Sequence, residues 1–324
     1  MIVVTGAAGF IGSAIIWYLN KQGIKDILAV DSIKTTSKWL NLRQLHYYNY
    51  IHKNEFLELL TTNTLDRSVS AIIHMGACSS TTEENMDYLF SNNVAYSQTL
   101  AKYAVENKIR FIYASSAATY GNGEFGFDDQ GNIELLKPIN RYGYSKQFFD
   151  VWIENRGWKD RVVGLKFFNV FGPNEYHKDT MRSVVCKAFE LIHEKGEMGL
   201  FKSYHSDYKD GEQKRDFIYI KDCVKVIDFF LNNPLKNGLF NLGTGKARSW
   251  NDLVKAVFKS MQQEARITYI DMPNNLKGAY QYFTEAKMKK LRSVGYSEPF
   301  LSLEAAVDDY INGYLSQTNF LASF

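Results

Sequence analysis

Short β-branched apolar runs alternate with longer stretches of mixed polarity along the first half of the chain. Residues 2–5 read Ile-Val-Val-Thr and run into glycine, as a strand buried on both faces does. Residues 13–19 follow with helical spacing. The rhythm then repeats, with strands expected at 26–30, 45–51, 70–74, 110–114 and 161–168. Helices are expected at 55–60, at 83–107 and around Tyr142 and Lys146, where Phe148, Phe149 and Trp152 extend an apolar stripe that predicts core. Such alternation predicts parallel strands joined by crossover helices, an α/β architecture with a doubly wound parallel sheet.

After Asn169 the rhythm changes. Residues 175–178 are polar, 181–195 predict a helix, and 201–214 form a charged, aromatic loop. A strand at 215–220, a helix at 222–231, a strand and turn at 240–245, and helices at 250–263 and 303–315 complete the chain. This pattern predicts a larger sheet domain over 1–168, with segments returning near 215–243, and a smaller C-terminal lobe over 169–324. The acidic, glycine-containing stretch 121–138 is a candidate lid.

Composition narrows the function classes. With 324 residues the chain has room for two domains. A net charge of +3 is too small to make nucleic acid the main partner. Cys78, Cys186 and Cys223 are odd in number and far apart, so they predict neither a disulfide framework nor a metal site. That favours a reducing compartment. No apolar run is long enough to cross a membrane, and the start lacks the basic region of a signal peptide. The expected setting is cytoplasmic, with no membrane partner.

The chemistry begins at Gly6-Ala-Ala-Gly9-Phe10-Ile11-Gly12, between the first strand and first helix. Glycines there permit a tight turn and let backbone approach a pyrophosphate, which the helix N-terminus faces. The spacing is GxxGxxG, not the standard GxGxxG. Asp31 ends the second strand, where a carboxylate accepts hydrogen bonds from a free ribose 2′-hydroxyl, as in NAD. Ser32, Lys34, Lys38 and Lys53 come next, and cations suit a 2′-phosphate. NADP and NAD both stay open. Met75-Gly76-Ala77-Cys78-Ser79 forms a loop at a strand's carboxyl end, where open α/β sheets bind ligands. His74 before it reads as a packing residue. Asn92 and Asn93 are poor mid-helix residues, which points to a role or a surface position.

Tyr142 and Lys146 are four apart and share one face of a helix. An ammonium beside a phenol favours the phenolate and makes it a usable base. With 21 tyrosines in the chain the spacing alone arises easily by chance. Ser116, at the end of the fifth strand, can hydrogen-bond a substrate oxygen, or serve simple turn chemistry. Gly243-Thr244-Gly245 reads as a plain turn.

Together the glycine turn, Asp31, Ser116, Tyr142 and Lys146 resemble the extended short-chain dehydrogenase/reductase family of nucleotide-sugar epimerases and dehydratases. Arg215-Asp-Phe-Ile-Tyr219 and Phe240-Asn-Leu-Gly243 look like that family's later landmarks. Within it, residues 76–83, 113–121, 142–146, 168–173, His177-Lys178 and 277–281 resemble the branch that epimerises ADP-linked heptoses. The sequence departs from that branch at Met75, where the pattern has an acid, at Lys187, where it has a histidine, and in a longer loop at 204–214.

The resemblance implies a Rossmann-type domain plus a small substrate domain, NADP as cofactor, a homo-oligomer that is a homopentamer, and an ADP-heptose substrate serving lipopolysaccharide core synthesis. It implies Ser116, Tyr142 and Lys146 as the catalytic set, with Lys146 lowering the Tyr142 pKa. Lys178 is implied as a second acid/base, or else pairs with phosphate. Cofactor contacts fall to Gly6, Gly9, Phe10, Ile11, Gly12, Asp31, Ser32, Lys38, Lys53, residues 75–79, Asn92 and Val170, with Tyr142, Lys146 and Lys178. Substrate contacts fall to Ser116, Asn169, Thr180, Lys187, Phe201, Lys202, Ser203, Tyr204, Arg215 and Tyr280. Arg215 alternatively pairs with Asp216 or Asp222. The implied reaction is inversion of C6 through transient oxidation to a 6-keto sugar. A UDP-sugar 4-epimerase and a non-catalytic dinucleotide sensor are the alternatives.

Overall fold

The computed structural model describes residues 1–65, 67–277 and 280–322, so Gly278 and Ala279 of the 277–281 motif lie outside the described residues. In chain order the strands are β1 (Ile2–Thr5), β2 (Ile27–Asp31), β3 (Asn49–His52), β4 (Ala71–His74), β5 (Arg110–Ser116) and β6 (Val163–Phe167). β7 (Asn169–Phe171), β8 (Met198–Phe201), β9 (Lys214–Tyr219), β10 (Gly238–Leu242), β11 (Ala247–Ser249) and β12 (Ile267–Ile270) follow. Seven of them form one parallel sheet in the order β10-β6-β5-β4-β1-β2-β3. Every residue of β1, β2, β4, β6 and β10 is buried, which is why these strands are mostly apolar; Asp31, His74, Lys166 and Asn241 are buried polar exceptions. Helices cover both faces of the sheet, which divides the core into two apolar layers.

The order places β2 on one side of β1 and β4 on the other, so the chain reverses direction across the sheet at β1. A crevice opens there at the carboxyl ends of the strands. The later chain adds a three-stranded sheet, β11-β9-β7, and a two-stranded one, β12-β8. Helix Trp250–Ser260 opens on a capping box of Ser249 and Asp252 and packs against helix Leu303–Gly313. Among the described residues no helix is long and apolar enough to cross a membrane.

Several expectations change in detail. The helix expected at 83–107 begins at Met86 and is α-helical only at 86–89 and 96–106. Between them, Phe90–Ala95 winds as a π-helix that contains Asn92 and Asn93. The candidate lid at 121–138 is packed down: Phe127, Asp129, Ile133 and Leu136 are buried, and Asp129 Oδ2 accepts from the Asn241 amide at 2.7 Å. Phe148 faces solvent, whereas Phe149 of the same stripe is core. The helix expected from 181 starts at Val184, because Ser183 caps it through the Cys186 amide.

Candidate active site

The crevice is built around Gly6. Its φ is +67°, and a Cβ there would lie 2.7 Å from the Gly76 amide nitrogen. Only glycine lets the tips of β1 and β4 meet this closely. Asp31 at the end of β2 is tied into the same turn. Its Oδ2 accepts from the Ala8 amide at 2.9 Å, and its Oδ1 from the Ser32 amide and Lys38 Nζ, each at 2.6 Å.

Two adjoining cavities share Gly6, Asp31, Thr36, Lys38, Gly76 and Ala77, forming one cleft. The first, about 520 Å³, is also bordered by Ser32, Lys34, His52, Lys53 and Asn92. The second, about 340 Å³, is also bordered by Gly9, Phe10, Ile11, Gly12, Met75, Ser79, Tyr142, Lys146 and Lys178. A turn with glycine at positions 6, 9 and 12, a carboxylate and a cationic rim fit a dinucleotide. Burial lowers the Lys53 pKa, and Lys34 and Lys38 add to the effect. Lys53 Nζ donates to Asn92 Oδ1. Cys78 is anchored through its backbone: its amide donates to Asn93 Oδ1 at 2.8 Å and its carbonyl accepts from Asn93 Nδ2 at 2.9 Å. Val170 packs against the core.

Helix Arg141–Asn155 is capped by Asn140, whose Oδ1 accepts from the Gly143 amide at 2.7 Å. A Cβ on Gly143 would lie 2.7 Å from the Ala118 carbonyl oxygen. Glycine thus allows the helix to sit on the turn after Ser116. Burial raises the Tyr142 pKa, and the Ser116 hydroxyl acts against this by lowering it. Ser116 is thus a group that opposes the effect of burial on Tyr142. Lys146 is 5% exposed and gives its Nζ to the Ala114 carbonyl at 2.8 Å. Burial pulls its pKa down to about 8, against the upward pull of Asp150. Tyr144, on the other face of the helix, is exposed.

Lys178 reaches the cleft from the loop after β7, its Nζ 5.5 Å from the centre of the Phe10 ring. Burial lowers its pKa, opposed by Glu175. Thr180 and Asn169 are exposed, and Lys187 Nζ donates to the Thr180 carbonyl at 2.5 Å.

A second cluster gathers part of the expected substrate set. The Arg215 guanidinium lies 5.2 Å from the Tyr280 ring centre and 5.7 Å from that of Trp250. Trp250 Nε1 donates to the Tyr280 hydroxyl at 2.8 Å. Arg215 pairs with neither Asp216 nor Asp222: it donates to the carbonyls of Lys214 and Gln281. Asp216 instead accepts from the amides of Thr244, Gly245 and Ala286, so the Gly-Thr-Gly turn encloses a carboxylate of its own chain. Phe201 ends β8. Lys202 pairs with Asp271, the Ser203 amide donates to Asp210, and Tyr204 donates to Asp271.

Sequence reasoning missed Thr36 and His52 in the cleft wall and Trp250 beside Arg215, and it named His177, also in the wall, only as part of a motif. Nothing in their local pattern separates them from surface or core residues. Asn93 was signalled only by its low helix propensity.

The chain's similarity to known proteins agrees with this build. The model of the NAD dependent epimerase/dehydratase family matches residues 2–243. The ADP-L-glycero-D-manno-heptose-6-epimerase of Nitratidesulfovibrio vulgaris (strain DP4) is 54% identical over 317 residues, 98% of each chain. That of Fusobacterium nucleatum is 47% identical over 327 residues, again 98% of each. The crystal structure of the Helicobacter pylori ADP-L-glycero-D-manno-heptose-6-epimerase superposes with a TM-score of 0.80 at 28% identity, covering 96% of this chain and 95% of that one. The family's cofactor is a nicotinamide dinucleotide, which suits a cleft of this shape and charge. On the matched span and these identities, the chain belongs to the NAD dependent epimerase/dehydratase family.

Proposed function

We propose that this chain is an epimerase that inverts C6 of an ADP-linked heptose, converting the D-glycero-D-manno to the L-glycero-D-manno form. The observation that carries the reading is the meeting of Tyr142, Lys146 and Lys178 with the glycine turn on one cavity, in a chain 54% identical to a heptose-6-epimerase.

The C6–H of a carbinol is not acidic, so direct proton removal is unavailable. Bound in the cleft, the nicotinamide supplies a reversible hydride acceptor, and the cofactor is unchanged over the cycle. Tyr142 takes the hydroxyl proton in one orientation of the substrate, giving a 6-keto sugar. Ser116 hydrogen-bonds the reacting oxygen and favours the Tyr142 phenolate. Lys146 holds the nicotinamide ribose. Lys178 returns a proton when the ketone presents its other face. Arg215, between Trp250 and Tyr280, takes a position suited to pyrophosphate or base stacking at the ADP end.

NADP is the finer reading of the cofactor. Lys38 and Lys53 border the cavity next to Asp31 and supply cations for a 2′-phosphate. A homo-oligomer, pentameric by resemblance, a cytoplasmic setting and a product destined for lipopolysaccharide core belong to the same reading. A 4,6-dehydratase is disfavoured because Ser116 is followed by Ala117 and Ala118, which carry no acid/base group.

The test has two parts. Denaturing the purified protein and weighing the released cofactor should give NADP. Incubation with either ADP-heptose epimer should then give the mixture of both. Turnover of UDP-glucose and not of ADP-heptose would replace this reading with a 4-epimerase, and no turnover of any nucleotide sugar would favour a sensor.

A further inference from the structure

The Glu175 carboxylate is wholly buried and takes no part in the chemistry above. It closes the loop that carries Lys178. At one end of the loop, Gly172 donates its amide to Oε1 at 3.4 Å. At the other end, Ser183 gives its amide to Oε2 and its hydroxyl to Oε1, each at 2.6 Å. Tyr310 of helix Leu303–Gly313 adds its hydroxyl to Oε1 at 3.1 Å. One carboxylate thus accepts from both ends of the segment and from the C-terminal helix. Inside the segment the Lys178 amide donates to the Glu175 carbonyl at 3.0 Å, and Asp179 is held at φ +46°, ψ −116°. A non-glycine residue keeps such a conformation only when its surroundings enforce it.

The same segment is keyed to the glycine turn. Asn41 Nδ2 donates to the carbonyls of Ala8 and Asn174, at 2.9 and 3.0 Å. Asn174 Nδ2 donates to Ser13 Oγ at 3.0 Å, and Ser13 in turn donates to the Gly9 carbonyl. The loop is therefore held against the cofactor turn on one side and closed by Glu175 on the other.

We infer that Glu175 is a positioning residue for Lys178: its carboxylate fixes the 172–183 loop so that the Lys178 ammonium stands at the reacting carbon's second face. The inference rests on the proposed role of Lys178 as the second acid/base. Its particular consequence is asymmetry. Loosening the loop impairs proton transfer on the Lys178 side and leaves the Tyr142 side intact.

Glu175→Gln keeps the shape but puts an NH₂ group against the Ser183 donors. In the holoenzyme its kcat should fall about a hundredfold, as misplacement of a reacting group by about 1 Å does, with KM little changed. Rapid mixing with each pure ADP-heptose epimer, followed by the near-ultraviolet absorbance of reduced nicotinamide, should show one epimer oxidised at the native rate and the other slowed. Amide hydrogen exchange over 176–182 should speed up in the same variant while β1 and β4 keep their protection. Ser183→Ala, which removes one donor and leaves the carboxylate, should show the same asymmetry more weakly. It serves as the test if Glu175→Gln does not fold. Equal slowing of both epimers, or native kcat with faster exchange, overturns the inference. A Lys178→Met variant separates the two levels. If it is asymmetric while Glu175→Gln is not, only the role of Glu175 fails; if it turns over normally, the role of Lys178 fails and the inference with it.

Discussion

Asp150 and Lys166 form an ion pair 2.8 Å long in which neither side chain has any exposed surface. Asp150 is four residues beyond Lys146 on helix Arg141–Asn155, so Tyr142, Lys146 and Asp150 fall on one stripe. Its other donors come from the neighbourhood of Ser116: Ser115 Oγ at 2.6 Å and the Tyr113 hydroxyl at 3.0 Å, both on β5. Lys166 on β6 also donates to Thr119 Oγ1 at 2.7 Å. The pair thus ties the helix that carries the general base to β6, and the Ser115 and Tyr113 bonds to Asp150 tie it to the strand that carries Ser116. Removing either partner leaves a bare charge in the core, which costs roughly 3–5 kcal/mol. Lys166→Met and Asp150→Asn should each lose about that much in denaturant unfolding. The double variant Lys166→Met/Asp150→Leu should be less destabilised than either single one, because no charge is stranded.

Tyr142→Phe should abolish epimerisation and keep both fold and bound cofactor, checked by turnover, circular dichroism and the mass of the released cofactor. Near-native turnover would remove Tyr142 from the mechanism.

The pH dependence of turnover follows from the same residue. Burial raises the Tyr142 pKa and Ser116 lowers it. The rate on the Tyr142 side should climb with pH as the phenol deprotonates. Ser116→Ala should push that climb to higher pH as well as slowing the reaction. A climb left in place, or moved to lower pH, would contradict the assigned contact.

Lys38→Ala should weaken NADP by roughly ten- to a hundredfold, the worth of one charge-assisted hydrogen bond, and weaken NAD far less. The loss of Lys38 also removes one of the two donors on Asp31 Oδ1, opening room there for a ribose hydroxyl. Titration of cofactor-depleted protein with each dinucleotide measures the ratio. Equal loss for both would argue against a 2′-phosphate site at Lys38.

Acid should destabilise the protein through His74. The Thr5 hydroxyl lies 2.6 Å from Nδ1, and Ser97 Oγ, itself donating to the Asn93 carbonyl, lies 2.8 Å from Nε2. This arrangement suits the neutral ring, and burial pushes its pKa down to about 3. The unfolded chain binds a proton near pH 6.5, so the contribution is complete above that pH and is lost as pH falls towards 3. At pH 5 the loss is roughly 2 kcal/mol, from about 1.5 pH units at 1.36 kcal/mol each. His74→Gln should show a correspondingly flatter decline of stability between pH 7 and pH 5 in urea unfolding.

Much of the fold was legible because burial leaves a local record. β1 and β4 are buried on both faces and appear as β-branched runs, while the glycine turn appears because a Cβ on Gly6 would strike Gly76. The four-residue spacing of Tyr142 and Lys146 is likewise a property of any helix. The partners of polar groups leave no such record. Glu175 meets Tyr310 across 135 positions, Tyr120 meets Asn241 across 121, and Asn93 reaches Ser145 across 52. Periodicity reports which face of an element avoids water, not which distant donor completes a carboxylate. The sequence by itself therefore determined the order of the main-sheet strands, the dinucleotide turn and the Tyr142–Lys146 stripe, while the short strands β7, β8, β11 and β12 were not among its expectations. Tertiary structure decided that Ser116 bears on the Tyr142 pKa, that Asp216 fills the Gly-Thr-Gly turn, and that a buried glutamate closes the loop of Lys178.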